Sequence, residues 1–125
     1  VPAHPPRNIL IIDDNPEFIR SFGRLLEDVA GDDRISIRWT HNIYDGMALL
    51  RDNYFEYVFL NVKMSDIDNI CIAQSVKKGL MYTPKIIALS FHTEAIFRAQ
   101  VMRAGATQYL VKDDIDHQTI CQLLA

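Results

Sequence analysis

Asn8-Ile9-Leu10-Ile11-Ile12-Asp13-Asp14 decides the fold: a short apolar run, heavy in isoleucine, stopped by two carboxylates. Three more runs share its build. Tyr57-Val58-Phe59-Leu60 runs into Asn61, Lys85-Ile86-Ile87-Ala88-Leu89 into Ser90, and Gln108-Tyr109-Leu110-Val111 into Lys112. Short runs with no polar face read as strands covered on both sides, which is the habit of parallel sheets. Ile35, Ile37 and Trp39 alternate with Ser36 and Arg38, so that stretch predicts a strand nearer a sheet edge.

The segments between these runs have helical spacing. Asn15-Pro16-Glu17 opens the first, with Asn15 as cap, Pro16 at the first helical position and Glu17 complementing the dipole. Phe18, Ile19, Phe22, Leu25, Leu26 and Val29 then form its inner face, and Gly31-Asp32-Asp33 ends it. Further helices are predicted over Asn42 to Asn53, Asp68 to Lys78 and Thr93 to Ala104, with Gly79 and Gly105 as stops. In the fourth, Thr93 is the expected cap and Ile96, Val101 and Met102 the packing positions; Asp114 is expected to cap a last helix carrying Ile115, Ile120, Leu123 and Leu124. Residues 1–7, with three prolines, read as a flexible extended tail or an expression remnant, leaving 8–125 as the domain. Five strands alternating with five helices and right-handed crossovers predict an α/β, doubly wound, flavodoxin-like three-layer sandwich. Its parallel five-stranded sheet has the order 2-1-3-4-5.

Composition sets the bounds. A chain of 125 residues with 49% hydrophobic content is one globular domain. A net charge of −3, without a basic arm, gives no reason for this domain to bind nucleic acid directly. Cys71 and Cys121 lie at apolar helical positions and read as small buried thiols in a reducing, cytoplasmic compartment; their spacing fits no zinc site. No stretch approaches the roughly 20 apolar residues of a membrane span, and no signal peptide is visible.

In an open parallel sheet, chemistry collects beyond the carboxyl ends of the strands, at the switch point between strands one and three. That places Asp13 and Asp14 beside Asn61, with Ser90 and Lys112 close by. Two carboxylates, a hydroxyl and an ammonium suit a hard cation and a phosphoryl group. The missing part is a nucleophile. Phosphoryl transfer to a side chain here needs an anionic carboxylate, and Asn61 supplies a neutral carboxamide.

With these residues in order, the chain resembles the receiver domain of two-component response regulators, over nearly everything after Arg7. The resemblance implies Mg²⁺ at Asp13 and Asp14, with Asn61 and the Lys63 backbone carbonyl completing a weak or absent site. It implies that Asn61 stands where an aspartate accepts a phosphoryl group from a histidine kinase, supported by Lys112 and Ser90, with Ser90 and Tyr109 as switch residues. Gly105-Ala106-Thr107-Gln108-Tyr109-Leu110-Val111-Lys112-Asp113 is most similar to receivers joined to helix-turn-helix output domains, so a DNA-binding output domain outside this chain is implied. The last two helices and the fifth strand are the implied contact surface, for an output or a homodimer. Ser65 and Asn69 replace the proline and glycine common in the loop after the acceptor, and Phe91 replaces the usual small residue after Ser90. These departures favour a degenerate receiver, a pseudo-receiver that regulates an output such as transcription through protein contacts. An engineered Asp-to-Asn change in an ordinary Mg²⁺-dependent receiver would explain Asn61 alone.

Bland readings cover the remaining candidates. His4, His41, His92 and His117 read as surface or locally bonded imidazoles, with His92 alone near the rim of the site. Lys63 reads as a solvated side chain, and Tyr109 as a partly buried strand aromatic. An enzyme on the same scaffold is disfavoured: the first strand-to-helix turn, Asp13 to Glu17, has no glycine-rich phosphate cradle, and no cysteine or Ser-His-acid order supplies a nucleophile.

Overall fold

The computed structural model describes residues 7–31 and 34–125. β1 (Arg7–Ile12), α1 (Pro16–Ala30), β2 (Ile35–Thr40), α2 (Ile43–Asp52) and β3 (Tyr57–Asn61) come first. They are followed by α3 (Ile67–Lys78), β4 (Lys85–Ser90), α4 (Ala95–Ala104), β5 (Gln108–Val111) and α5 (His117–Leu124). The sheet has the expected order, β2-β1-β3-β4-β5, and each adjacent pair is parallel. Within the described residues, no helix is long and apolar enough to cross a membrane. The reading of Gly31-Asp32-Asp33 and of the tail before Arg7 falls largely outside the described residues.

The period of two along each strand splits the core. Leu10, Ile12, Val58, Leu60, Ile86 and Ala88 face α2, α3 and α4. Ile9, Ile11, Tyr57, Phe59, Ile87 and Leu89 face α1 and α5. All twelve are essentially inaccessible to solvent, and full burial of a Val, Leu, Ile or Phe side chain among them contributes about 1.5 to 3 kcal/mol. Two glycines have steric reasons. A Cβ on Gly46 would stand 2.3 Å from Ile12 Cδ1, so α2 lies as close to β1 as a helix without that carbon allows. Gly105 closes α4 at φ +123°, a conformation side chains resist.

Several sequence expectations need correction. The first strand begins at Arg7, which is therefore part of the domain. Its guanidinium is bidentate to Glu56, with both bonds at 2.9 Å, and also donates to Tyr57 Oη and to the carbonyl of Leu124. The pair holds the Glu56 carboxyl below its usual range. Cys71 and Cys121 are exposed. On α4, Phe97 and Val101 are the buried residues, whereas Ile96 and Met102 face outward. The helix starts at Ala95 without a side-chain cap, so Thr93 does not have that role. Asp116 caps α5 by accepting the Thr119 N–H at 2.8 Å, while Asp114 lies in a 3-10 turn.

Candidate functional site

The carboxyl ends of β1, β3, β4 and β5 deliver Asp13, Asn61, Ser90 and Lys112 to one end of the sheet. Asn15 caps α1 through Oδ1, which accepts the N–H groups of Glu17 and Phe18. Its own N–H is held by Asp13 Oδ1 at 2.9 Å. This turn points the Asp13 carboxylate inward and leaves that of Asp14 outward.

The two acids therefore meet different cations. Lys112 Nζ stands 2.8 Å from Asp13 Oδ2, and the two side chains are 4% and 0% exposed. The contact is an ion pair set off the line of a hydrogen bond, since Oδ2 has no hydrogen-bonding partner. Two aromatic rings complete the seat of the ammonium: Phe18 with its centroid 4.2 Å away and Phe91 at 4.9 Å. Asp14 Oδ2 accepts from Lys63 Nζ at 2.6 Å, in a pair more than half exposed on both sides. That hydrogen bond lowers the Asp14 carboxyl and raises the Lys63 ammonium from their ordinary ranges. Lys63 is thus exposed, as expected of a solvated lysine, yet it is paired.

Asn61 is half-buried and borders two recesses. One, about 270 Å³, is shared with Asp14, Ser90, Phe91, His92 and Lys112. The other, about 70 Å³, lies toward Asp13, Asp14, Asp66 and Asn69. The Lys63 carbonyl accepts the Asp66 N–H at 2.9 Å, inside the 3-10 turn Met64–Asp66. Among the described residues, no group of three or more His, Cys, Asp or Glu side chains is arranged to hold a metal ion.

Ser90 and Tyr109 meet through the backbone of the loop between them. Ser90 Oγ accepts the His92 N–H at 3.2 Å, and Tyr109 Oη donates to the His92 carbonyl at 2.7 Å. Tyr109 is buried and packs edge-on against Phe97. The His92 ring lies against Phe97 and near Glu94. These bonds fix the loop that carries Phe91 over Lys112. His41 Nδ1 lies 3.2 Å from the Asp13 carbonyl, and His117 lies on α5, outside this cluster.

Sequence reasoning brought Asp13, Asp14, Asn61, Lys63, Ser90 and Lys112 to one place, and the structure assembles them there. It missed Phe18 as a wall of the Lys112 seat. The available signal was position: Phe18 stands one turn after the acidic pair, on the helix that the pair launches.

Residues 9–125 match the family described as the response regulator receiver domain. The chain is 30% identical over 105 residues to the response regulator UvrY of Escherichia coli, covering 84% of this chain and 47% of UvrY. It is 27% identical to the transcriptional regulatory protein LytR of Staphylococcus aureus, over 82% of this chain and 40% of LytR. The chain thus spans about half the length or less of these curated relatives. In fold it is similar to a CheY-like receiver domain protein from Methanospirillum hungatei, with a TM-score of 0.74 and 19% identity, covering 96% of this chain and 91% of that one.

Proposed function

The chain belongs to the response regulator receiver domain family, and from that premise we propose that it is a degenerate receiver, acting through protein contacts without phosphorylation at Asn61. As a receiver domain of a two-component response regulator it is a signalling domain rather than an enzyme. The observation that carries the proposal is charge. The position between Asp13, Asp14 and Lys112 holds a carboxamide, and each of the two carboxylates already has its own ammonium.

Receiver domains generally bind Mg²⁺. The residues here fit a divalent cation poorly. Lys112 and Lys63 cancel the charges of Asp13 and Asp14, Asn61 adds a neutral oxygen, and the Lys63 carbonyl already accepts one N–H. Hard cations are held chiefly by anionic oxygens, so binding is weak or absent on this reading.

Signal passes through surfaces instead. Ile96 is 77% exposed on α4, and Met102 also faces outward, which supports α4, β5 and α5 as a contact face for an output domain or a second receiver. LytR is a transcriptional regulatory protein by name. By analogy, this domain regulates a DNA-binding output outside the chain, and its input is a histidine kinase or another signalling protein.

Intact-mass measurement after incubation with acetyl phosphate and Mg²⁺ tests the proposal. No phosphoryl mass gain is expected; a gain mapped to Asn61 overturns it, and one mapped to Ser65 or Ser90 replaces it with another acceptor. Asn61→Asp sharpens the result. We expect Mg²⁺ binding, followed by Trp39 fluorescence or amide shifts, to return while modification stays slow, because Phe91 covers the ammonium that transfer requires. Rapid, complete modification with coupled shifts at Ser90 and Tyr109 would favour an ordinary receiver altered at one position.

A further inference from the structure

His117 and Cys121 are four residues apart on α5, so they share one side of the helix, and both are exposed. Cys121 Sγ lies 3.5 Å from His117 Nδ1. A weak S–H···N hydrogen bond is one use of this contact. The same separation has a second meaning. A tetrahedral zinc ion bonds thiolate sulfur at about 2.3 Å and imidazole nitrogen at about 2.0 to 2.1 Å, which sets the two donors about 3.5 to 3.6 Å apart. The pair already has the bite of a chelate. A bound ion would replace the thiol proton, which passes to solvent.

The chain leading into α5 suits a cation. Asp113, Asp114 and Asp116 precede His117, and none of them forms an ion pair among the described residues. The N–H and hydroxyl of Thr119 hold the Asp116 carboxyl below its ordinary range. The nearest ammonium in sequence, that of Lys112, is buried against Asp13. One chain still leaves the ligand set incomplete. Among the described residues no third His, Cys, Asp or Glu side chain joins the pair, and structural zinc takes four ligands.

We propose that His117 and Cys121 are half of a zinc site, completed by the same two residues of a second copy of this chain, with the ion on a two-fold axis between antiparallel α5 helices. The two-fold operation supplies the missing ligands without any further residue type, giving a Cys2His2 set whose two thiolates balance the charge of the ion. The axis passes α5 at the level of Thr119, midway between the two ligands. Each acidic run then lies beside the far end of the other copy's helix, not against its own counterpart. The exposed residues next to the ligands, Gln118 and Gln122, are uncharged, so no like charges meet at the axis. The site goes beyond the reading of Asn61, and neither depends on the other.

Titration of the chain with Co²⁺, a spectroscopic stand-in for zinc, provides the test, under reducing conditions and with sedimentation velocity alongside. Wild type is expected to show thiolate-to-cobalt charge transfer and the visible bands of a tetrahedral ion, saturating at one ion per two chains and bleached by Zn²⁺. Zn²⁺ is expected to convert monomer to dimer, and a chelator to reverse it. His117→Gln and Cys121→Ser should each lose the tetrahedral bands and the zinc-dependent dimer. Their thermal unfolding without metal should stay close to wild type, because both side chains are exposed. Cys71→Ser should change nothing, since that thiol lies on α3 with no histidine one turn away. Absence of the bands, bands that survive Cys121→Ser, bands lost in Cys71→Ser, or an ion held by a chain that stays monomeric would each overturn the proposal.

Discussion

Asp13 and Asp14 are adjacent in the chain, and each has a lysine ammonium against one carboxylate oxygen, at 2.8 and 2.6 Å. Distance alone would rank the Asp14 pair as the stronger. Burial reverses the order. The Asp13–Lys112 pair is sealed from water and walled by Phe18 and Phe91, whereas Asp14–Lys63 is more than half exposed and open to screening. The contrast teaches that two like bridges on one turn can have separate roles. One holds the site's shape and the other tunes its surface charge.

The largest effect expected from this contrast is for Lys112→Met. Leaving the Asp13 carboxylate buried and unpaired should destabilise the domain by about 3 to 5 kcal/mol in urea unfolding. Asp13→Asn added to Lys112→Met should recover most of that loss, because the cost comes from the stranded charge. A loss smaller than that for Lys63→Met would break the comparison.

Phe91→Ala is intermediate. The ring is 57% exposed, so little burial is lost, but one face of the ammonium's seat is removed. A loss of about 0.5 to 1 kcal/mol is expected, with faster acylation of Lys112 in amine-labelling mass spectrometry. Unchanged labelling would show that Phe91 does not guard the ammonium.

Lys63→Met should have the smallest effect, an unfolding midpoint close to wild type at moderate salt. Its pH dependence is specific. The lowered Asp14 carboxyl stabilises the fold above the ordinary carboxylate range, and this contribution is lost as pH falls through the lowered value. The raised Lys63 ammonium stabilises below the ordinary amine range, and that contribution is lost as pH rises through the raised value. The small difference from wild type should therefore be flat between about pH 5 and pH 10 and close outside it. A difference that widens below about pH 4 would contradict the assignment.

The sheet was legible because each buried strand is an apolar run with a polar stop, a pattern that survives without knowledge of neighbours. The ends of those runs also located Asp13, Asn61, Ser90 and Lys112. The face of α4 was harder to read. Ile96, Phe97, Val101 and Met102 spread apolar residues around a ten-residue helix, and only packing selects Phe97 and Val101. The caps were misplaced by short 3-10 and loop segments before α4 and α5, which carry no strong periodicity. Ion-pair partners depend on which way a turn aims each carboxylate. The Asn15 N–H bond to Asp13 decides that, and spacing alone does not reveal it.

The strand order has a consequence for synthesis. β1 is flanked by β2 and β3, and its pairing with β3 joins Ile9 to Tyr57. β2 therefore emerges in time to cover one side of β1, while the partner for the other side is made about twenty residues later still. At roughly 5 to 20 residues per second, the nascent chain holds a strand with the apolar run Ile9-Leu10-Ile11-Ile12 and one open edge for a second or more. Such an edge invites pairing with another chain. Translation pausing between Thr40 and Tyr57 would prolong that interval, and pausing between Asn61 and Lys85 would do the same for the far edge of β3, so the codons of both stretches bear on yield.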